Sequence, residues 1–208
     1  MLTVACVLRS GGIYTPEWVA RLKAGVSRHL PVKHRFVCLS DVEVPAKRIP
    51  LEHGWPGWWA KMELFRIPGP VLYFDLDTAI VGDLSDIAEH ATYAAGMTML
   101  RDFYAPDHCG SGVMAWSGSM RALYDVFAKD ADRLMTVQRA RMGDQAFIEE
   151  ETTAKLGRWQ DHLPGQIVSY KVHCGRGITA DARVVCLHGR PKFDDMPAND
   201  PVRLAWEQ

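Results

Sequence analysis

The stretch Val71–Leu84, VLYFDLDTAIVGDL, decides how the chain is read. It opens with Val71, Leu72, Tyr73 and Phe74, an apolar run of the kind that fills a strand buried on both faces. It then sets Asp75 and Asp77 on either side of Leu76. Side chains two apart on an extended chain point the same way, so the spacing predicts two carboxylates converging at a strand end. Like charges that close repel each other, and burial raises the cost. Three readings are open at this point: a solvated strand-end pair, the acidic pair of a phosphatase, or a clamp for a divalent cation. A cation removes the repulsion, and oxygen ligands with room for phosphate oxygens suit magnesium or manganese.

Outward from this stretch, the chain alternates strand-like and helix-like segments. LTVACVL reads as a buried first strand, followed by a glycine-containing loop at Arg9–Gly12. Thr15 and Pro16 supply an N-cap and a proline at the first helical position. Trp18, Val19, Leu22 and Val26 then recur at helical spacing, which predicts a helix to about His29. HRFVCLS reads as a second strand and Ile49–Leu51 as a short third. GWPGWWAKMELFRIPG holds a predicted helix of about two turns, closed by Pro68-Gly69-Pro70. This order predicts an α/β fold with a mostly parallel central sheet and helices on both faces. Ligands in such sheets sit beyond the carboxyl ends of strands, where Asp75 and Asp77 lie. In the second half, Ala94–Leu100 and Gly112–Trp116 read as strands, and Met120–Ala128 and Asp144–Ala154 as helices. Ile167–His173 and Arg183–Leu187 read as late strands forming a small antiparallel element.

Composition bounds the function. At 208 residues the chain suffices for one domain over 1–208, and 48% hydrophobic with 24% charged residues excludes a disordered chain. A net charge of -1 argues against gripping nucleic acid through phosphate neutralisation and gives no support to a nucleic-acid substrate such as a modified DNA base. No apolar run approaches membrane-spanning length. The N-terminus lacks the basic region of a secretion signal. Cys6, Cys38 and Cys186 sit in apolar runs, which predicts free buried thiols in a reducing cytoplasm.

FDLDTAI resembles the first motif of haloacid-dehalogenase-type phosphatases, but that motif wants a hydroxyl four residues after its first aspartate. Ala79 stands there, and Thr78 comes one place early. The motif also follows the first strand in that family, not roughly the fourth, and Lys192 with Asp194-Asp195 would have to complete the site in a crowded arrangement.

The whole chain resembles nucleotide-sugar glycosyltransferases of the GT-A (Rossmann-like) fold, in particular glycosyltransferase family 8 and its small bacterial and phage-like relatives. The matching elements come in order: the first strand with a loop carrying Tyr14, WWAKMELF, VLYFDLDTAIVGDLSDI, CGSGVMAW, MGDQAFI and CLHGRPKF. The resemblance implies transfer of a sugar from a nucleoside-diphosphate donor, most simply UDP-linked, to a hydroxyl acceptor, with retention of configuration. It implies a manganese or magnesium ion held by Asp75, Asp77 and His188. His188 follows the apolar run VVCL much as Asp75 follows VLYF, so two strand ends are expected to meet at one site. Cys186-x-His188 has no second Cys/His pair at a convincing spacing to make a closed zinc site.

By the same resemblance, Tyr14, Lys61, Leu76, Gly189, Arg190 and Lys192 lie at the donor. Asp144 and Gln145 lie at the transferred sugar, with Gln145 near the reaction centre, and Asp102, Asp107 and His108 border the acceptor. Asp41, just past the second strand, reads as a turn residue or a nucleoside contact. Two departures stand out. Gly110 replaces the family's asparagine, and the terminal element is compressed to His188-Gly189-Arg190-Pro191-Lys192-Phe193 without its Pro-Trp. A non-catalytic sugar-nucleotide binder is therefore a further reading. Trp55, Trp58 and Trp59 cluster in a glycine- and proline-rich segment, where tryptophan either stacks on sugars and bases or packs into the core.

Overall fold

In the computed structural model, which describes residues 1–139, 142–152 and 156–208, the first apolar run forms β1 (Leu2–Leu8). Pro16 opens α1 (Pro16–His29), which buries Trp18, Val19, Leu22, Gly25 and Val26. β2 (His34–Ser40) and β3 (Lys47–Pro50) follow. The tryptophan-rich segment Gly57–Arg66 is wound as tight 3₁₀ turns rather than an α-helix. β4 (Val71–Phe74) ends one residue before Asp75, and β5 (Thr78–Ile80) begins one residue after Asp77. The chain therefore turns at Asp75–Asp77 instead of staying extended, which corrects the expectation that the two carboxylates share one side of a strand.

The second half runs α2 (Ser85–Tyr93), β6 (Met97–Arg101), β7 (Cys109–Trp116), α3 (Arg121–Lys129), α4 (Ala131–Arg139) and α5 (Asp144–Glu151). The expected end of the last helix at Ala154 lies outside the described residues. β8 (Leu156–Arg158), α6 (Trp159–His162), β9 (Ile167–Ser169), α7 (Tyr170–His173), β10 (Val184–Cys186) and α8 (Pro201–Glu207) complete the chain. The strand expected over Ile167–His173 stops at Ser169 because the Ser169 hydroxyl accepts from the Val172 backbone N–H and caps a helical turn.

Among the described residues, seven strands form one sheet in the order β3-β2-β1-β4-β7-β6-β8. Its pairings are parallel except those of β7, which runs antiparallel to β4 and β6. A second sheet has the order β5-β10-β9. There β10 is antiparallel to β5 and parallel to β9, so the small antiparallel element forms through β5 and not between the two late strands.

The central sheet is covered on both faces, as its continuous apolar strands require. Leu2, Val4, Cys6 and Leu8 pack with Trp18, Leu22 and Trp206 on one face. Ala5, Val37 and Leu39 pack with Trp59, Phe65, Trp116 and Phe127 on the other. Cys6, Cys38, Cys109, Cys174 and Cys186 are free and buried. No helix among the described residues is long and apolar enough to cross a membrane. Because β1 and β4 are parallel, the loops after Leu8 and Phe74 leave the same edge of the sheet, and the site is built there.

Candidate functional site

Two cavities open on this edge and meet at Lys61, Asp75 and Asp77. One, of about 620 Å³, is lined by the loop after β1 (Arg9 to Tyr14) together with Trp58, Tyr73 and Leu76. The other, of about 440 Å³, is lined by Asp102, Phe103, Ser111, Asp144, Gln145, His188 and Gly189 among others. Both fall in the usual range for small-molecule sites.

Two backbone hydrogen bonds bring distant segments together here. Asp75 N–H donates to Gly112 O (2.8 Å) and Leu187 N–H to Asp77 O (2.9 Å). They seat the turn of β4–β5 against β7 and the end of β10 against Asp77. The expected meeting of two strand ends is thus present, with His188 one residue past Leu187.

Each aspartate has its own ammonium. Lys61 is 5% exposed. Its Nζ lies 3.0 Å from Asp75 Oδ1 and 3.1 Å from Asp144 Oδ2, and donates to Ser111 Oγ at 3.0 Å. Ser111 Oγ donates in turn to Asp144 Oδ2 (2.7 Å), and the Tyr73 hydroxyl donates to Asp75. Asp77 Oδ2 accepts from the Tyr14 hydroxyl (2.9 Å) and from Lys192 Nζ. Asp144 is therefore not a helix cap. Gly143 holds that position, and the carboxylate is spent on Lys61 and Ser111.

Burial pushes the Asp75 carboxyl up to about 6, with the Lys61 ammonium pulling it down and the Asp77 charge adding to the rise. Burial opposes the charge on Lys61, but Asp144 and Asp75 outweigh it and hold the amine protonated. Burial, and then the Asp77 carboxylate, raise Tyr14, so its hydroxyl stays a donor. Burial, followed by the Lys171 charge, lowers His188 and keeps its imidazole neutral. The His188 Nε2 lies 2.6 Å from Ser169 Oγ.

Of the expected site residues, Asp75, Asp77, His188, Gly189, Lys61, Asp144, Gln145 and Asp102 line the smaller cavity. Tyr14 and Leu76 line the larger. Lys192 reaches the site through Asp77. Arg190 is turned to Asp195 in an exposed ion pair. Asp107 and His108 line neither cavity, and His108 Nδ1 faces Glu149 at 3.4 Å. Arg9 was not anticipated as a site residue. Asp41 binds the Ser10 N–H (2.9 Å) and hydroxyl (2.6 Å) and the Arg9 guanidinium (2.5 Å), so it fixes the loop that floors the larger cavity. Arg9 and Asp41 are both visible as charges at strand ends, but their pairing across adjacent parallel strands is a tertiary fact.

Two carboxylates and a neutral imidazole around one cavity fit a hard divalent cation in donor type. They are not drawn into a ready cage: among the described residues no three His, Cys, Asp or Glu side chains form a metal-holding group. Lysines supply the counter-charge instead, with Lys192 and Tyr14 both on Asp77 Oδ2.

Solved structures share this architecture. GlyE, a glycosyltransferase of Streptococcus pneumoniae TIGR4, matches 100% of the chain with a TM-score of 0.69 at 13% identity, and the chain spans 60% of that protein. LgtC, a galactosyltransferase solved with donor and acceptor sugar analogues, matches with a TM-score of 0.65 at 11% identity, covering 99% of this chain and 93% of its own. WbbM, a bifunctional glycosyltransferase, matches with a TM-score of 0.61 at 10% identity over 99% of this chain and 51% of its own. The chain has a GT-A fold. No family model matches the sequence, and no curated protein matches it. The GT-A resemblance seen in the sequence is thus upheld at the level of fold. In this GT-A chain the turn after β4, the end of β10 and the start of α5 converge on one pair of cavities. The phosphatase alternative gains nothing, since Asp75 is clamped by Lys61 and Tyr73 rather than presented as a free nucleophile.

Proposed function

We propose that the protein is a glycosyltransferase that moves a sugar from a nucleoside-diphosphate donor, UDP-linked, to a hydroxyl acceptor with retention. The observation that carries this reading is the pair of cavities joined at Asp75, Asp77 and Lys61. One is floored by a strand–loop–helix start suited to a nucleoside. The other contains Asp144 and Gln145, suited to a sugar. The fold likeness to GlyE, LgtC and WbbM supports it.

In this reading the nucleoside occupies the larger cavity beside Tyr14. The diphosphate lies across the junction, where Lys192 exchanges Asp77 for a phosphate oxygen. Asp75, Asp77 and His188 would hold manganese or magnesium, whose positive charge would supply neutralisation of the diphosphate leaving group. Lys61 keeps Asp75 and Asp144 apart in charge and fixed in place. Asp144 accepts from sugar hydroxyls, and Gln145 stands beside the anomeric carbon. Thermal unfolding with UDP, UDP-glucose, UDP-galactose and the other nucleoside diphosphates, each with and without manganese, tests this. Stabilisation by UDP-linked ligands that needs the metal supports it, and no stabilisation by any of them refutes it.

A further inference from the structure

Trp58 stands apart from every other tryptophan in the chain. Trp18, Trp55, Trp59, Trp116, Trp159 and Trp206 are all at most 8% exposed, whereas Trp58 is 51% exposed. It lines both cavities, and among the described residues its ring has no aromatic partner. The indole lies against the start of α5. A Cβ on Gly143 would lie 2.9 Å from Trp58 Nε1, and Gly143 has a φ of +68°, so only glycine lets the ring settle there. Gly143 directly precedes Asp144 and Gln145, which ties the indole to the start of α5.

The smaller cavity carries further aromatic surface on the loop between β6 and β7. Tyr104 is 64% exposed. The loop is locked, because Asp102 Oδ1 accepts from the Tyr104 and Ala105 N–H groups, both at 2.8 Å. Phe103 stacks on His188 with ring centroids 5.6 Å apart, and Tyr104 packs edge-on to the same imidazole at 5.0 Å with most of its side chain still exposed. The same cavity holds polar groups, since Gln145 Nε2 lies 3.5 Å from Asp102 Oδ2. Solvent-facing rings beside a carboxylate and an amide match a ligand that is apolar on its faces and hydroxylated at its edge. A pyranose is such a ligand: its C–H face stacks on an aromatic ring, and its hydroxyls serve Asp and Gln acceptors and donors. An anionic acceptor would meet Asp102.

We propose that the acceptor is a neutral pyranoside, stacked on Trp58 at the mouth of the smaller cavity, with Tyr104 as a second ring and Asp102 and Gln145 taking its hydroxyls. This rests on the transferase reading above.

Because Trp58 is the accessible indole, acrylamide quenching of tryptophan fluorescence reports on it. Quenching is measured with saturating UDP and manganese, then with methyl β-glucopyranoside, methyl β-galactopyranoside, lactose, or sorbitol as an acyclic control. The expected result is shielding by at least one pyranoside and none by sorbitol. Replacing the stacking ring, Trp58→Ala should raise the KM for that pyranoside about 3–10-fold with Trp58→Phe intermediate. If UDP stabilises the protein but no pyranoside adds shielding, or if sorbitol shields equally, the acceptor inference falls and the transferase reading stands. If neither UDP nor any UDP-sugar stabilises the protein, the transferase reading falls and takes this inference with it.

Discussion

Lys61→Met removes the ammonium that two carboxylates share. In the wild type, Lys61 Nζ is 3.0 Å from Asp75 and 3.1 Å from Asp144, with side-chain exposures of 6%, 32% and 8% for the three residues. Methionine preserves the aliphatic stem and leaves both charges without their cation. Breaking a buried ion pair by deleting one partner costs about 3–5 kcal/mol. The opening of Asp75 to the cavity, and the Tyr73 and Ser111 hydroxyls that still donate, place the expected loss near the lower end, about 3 kcal/mol. For a chain of this size that lowers Tm by roughly 6–12 °C.

The deficit should depend on pH. Burial and the Asp77 charge already hold Asp75 up at about 6, and losing Lys61 raises it further. A carboxyl raised above its unfolded value destabilises the fold as pH rises through the folded pKa, so the deficit should be largest above neutrality and shrink towards pH 5. Calorimetry of both proteins from pH 5 to 8 measures it, and adding Asp144→Asn should recover part of the loss. A Tm deficit below about 2 °C, or one that does not narrow on acidification, refutes the reasoning.

Lys192→Ala should weaken UDP binding about 10-fold or more, the scale of one lost charge-assisted hydrogen bond. Without nucleotide, manganese should stabilise that variant more than wild type, since Asp77 is no longer held by an ammonium; titration calorimetry and thermal shift measure the two effects. Gly69→Ala should destabilise by about 1–3 kcal/mol, because a Cβ there would lie 2.5 Å from Trp116 O and 2.8 Å from Ser117 Cα, neither of which can swing away; the urea midpoint reports it. His90, whose Nε2 is 2.9 Å from Thr98 Oγ1, is lowered by burial first and then by His162. A histidine lowered on folding loses stability as pH falls below its ordinary value, so His90→Gln should flatten the stability profile between pH 7.5 and 5.5 in urea titrations.

The strands and first helix were legible because local signals set them: an apolar run for β1 and β4, and Thr15-Pro16 with helical spacing for α1. The order of these elements sufficed for a mostly parallel α/β sheet, and the resemblance of the motifs along the chain supplied the GT-A architecture. The turn at Asp75–Asp77 was not legible. FDLDTAI reads as one extended run, but Thr78–Ile80 leaves the central sheet to pair with β10, and no local residue announces that partner. The Trp-Trp segment reads as an ordinary helix, whereas its seven buried residues in succession, Trp59 to Phe65, include Lys61, whose charge is met by Asp75 and Asp144, and Glu63, which pairs with Arg66 in the same segment and with backbone N–H groups outside it. Glu63, for example, accepts from the Glu52 and His53 N–H groups at 2.8 and 2.9 Å. At the site, the resemblance singled out Asp75, Asp77, Lys61, Asp144 and Gln145, which line one cavity, and also Asp107 and His108, which line neither. The Lys192–Asp77 pairing spans 115 residues and belongs to the fold alone.

The most direct measurement of the central claim is UDP release from UDP-glucose and UDP-galactose, with manganese and with chelator, for wild type and Asp77→Ala. The account predicts release that requires the metal and falls at least about 100-fold in the variant, the loss of roughly 2.7 kcal/mol of transition-state stabilisation. Release unaffected by chelator and by Asp77→Ala would contradict it.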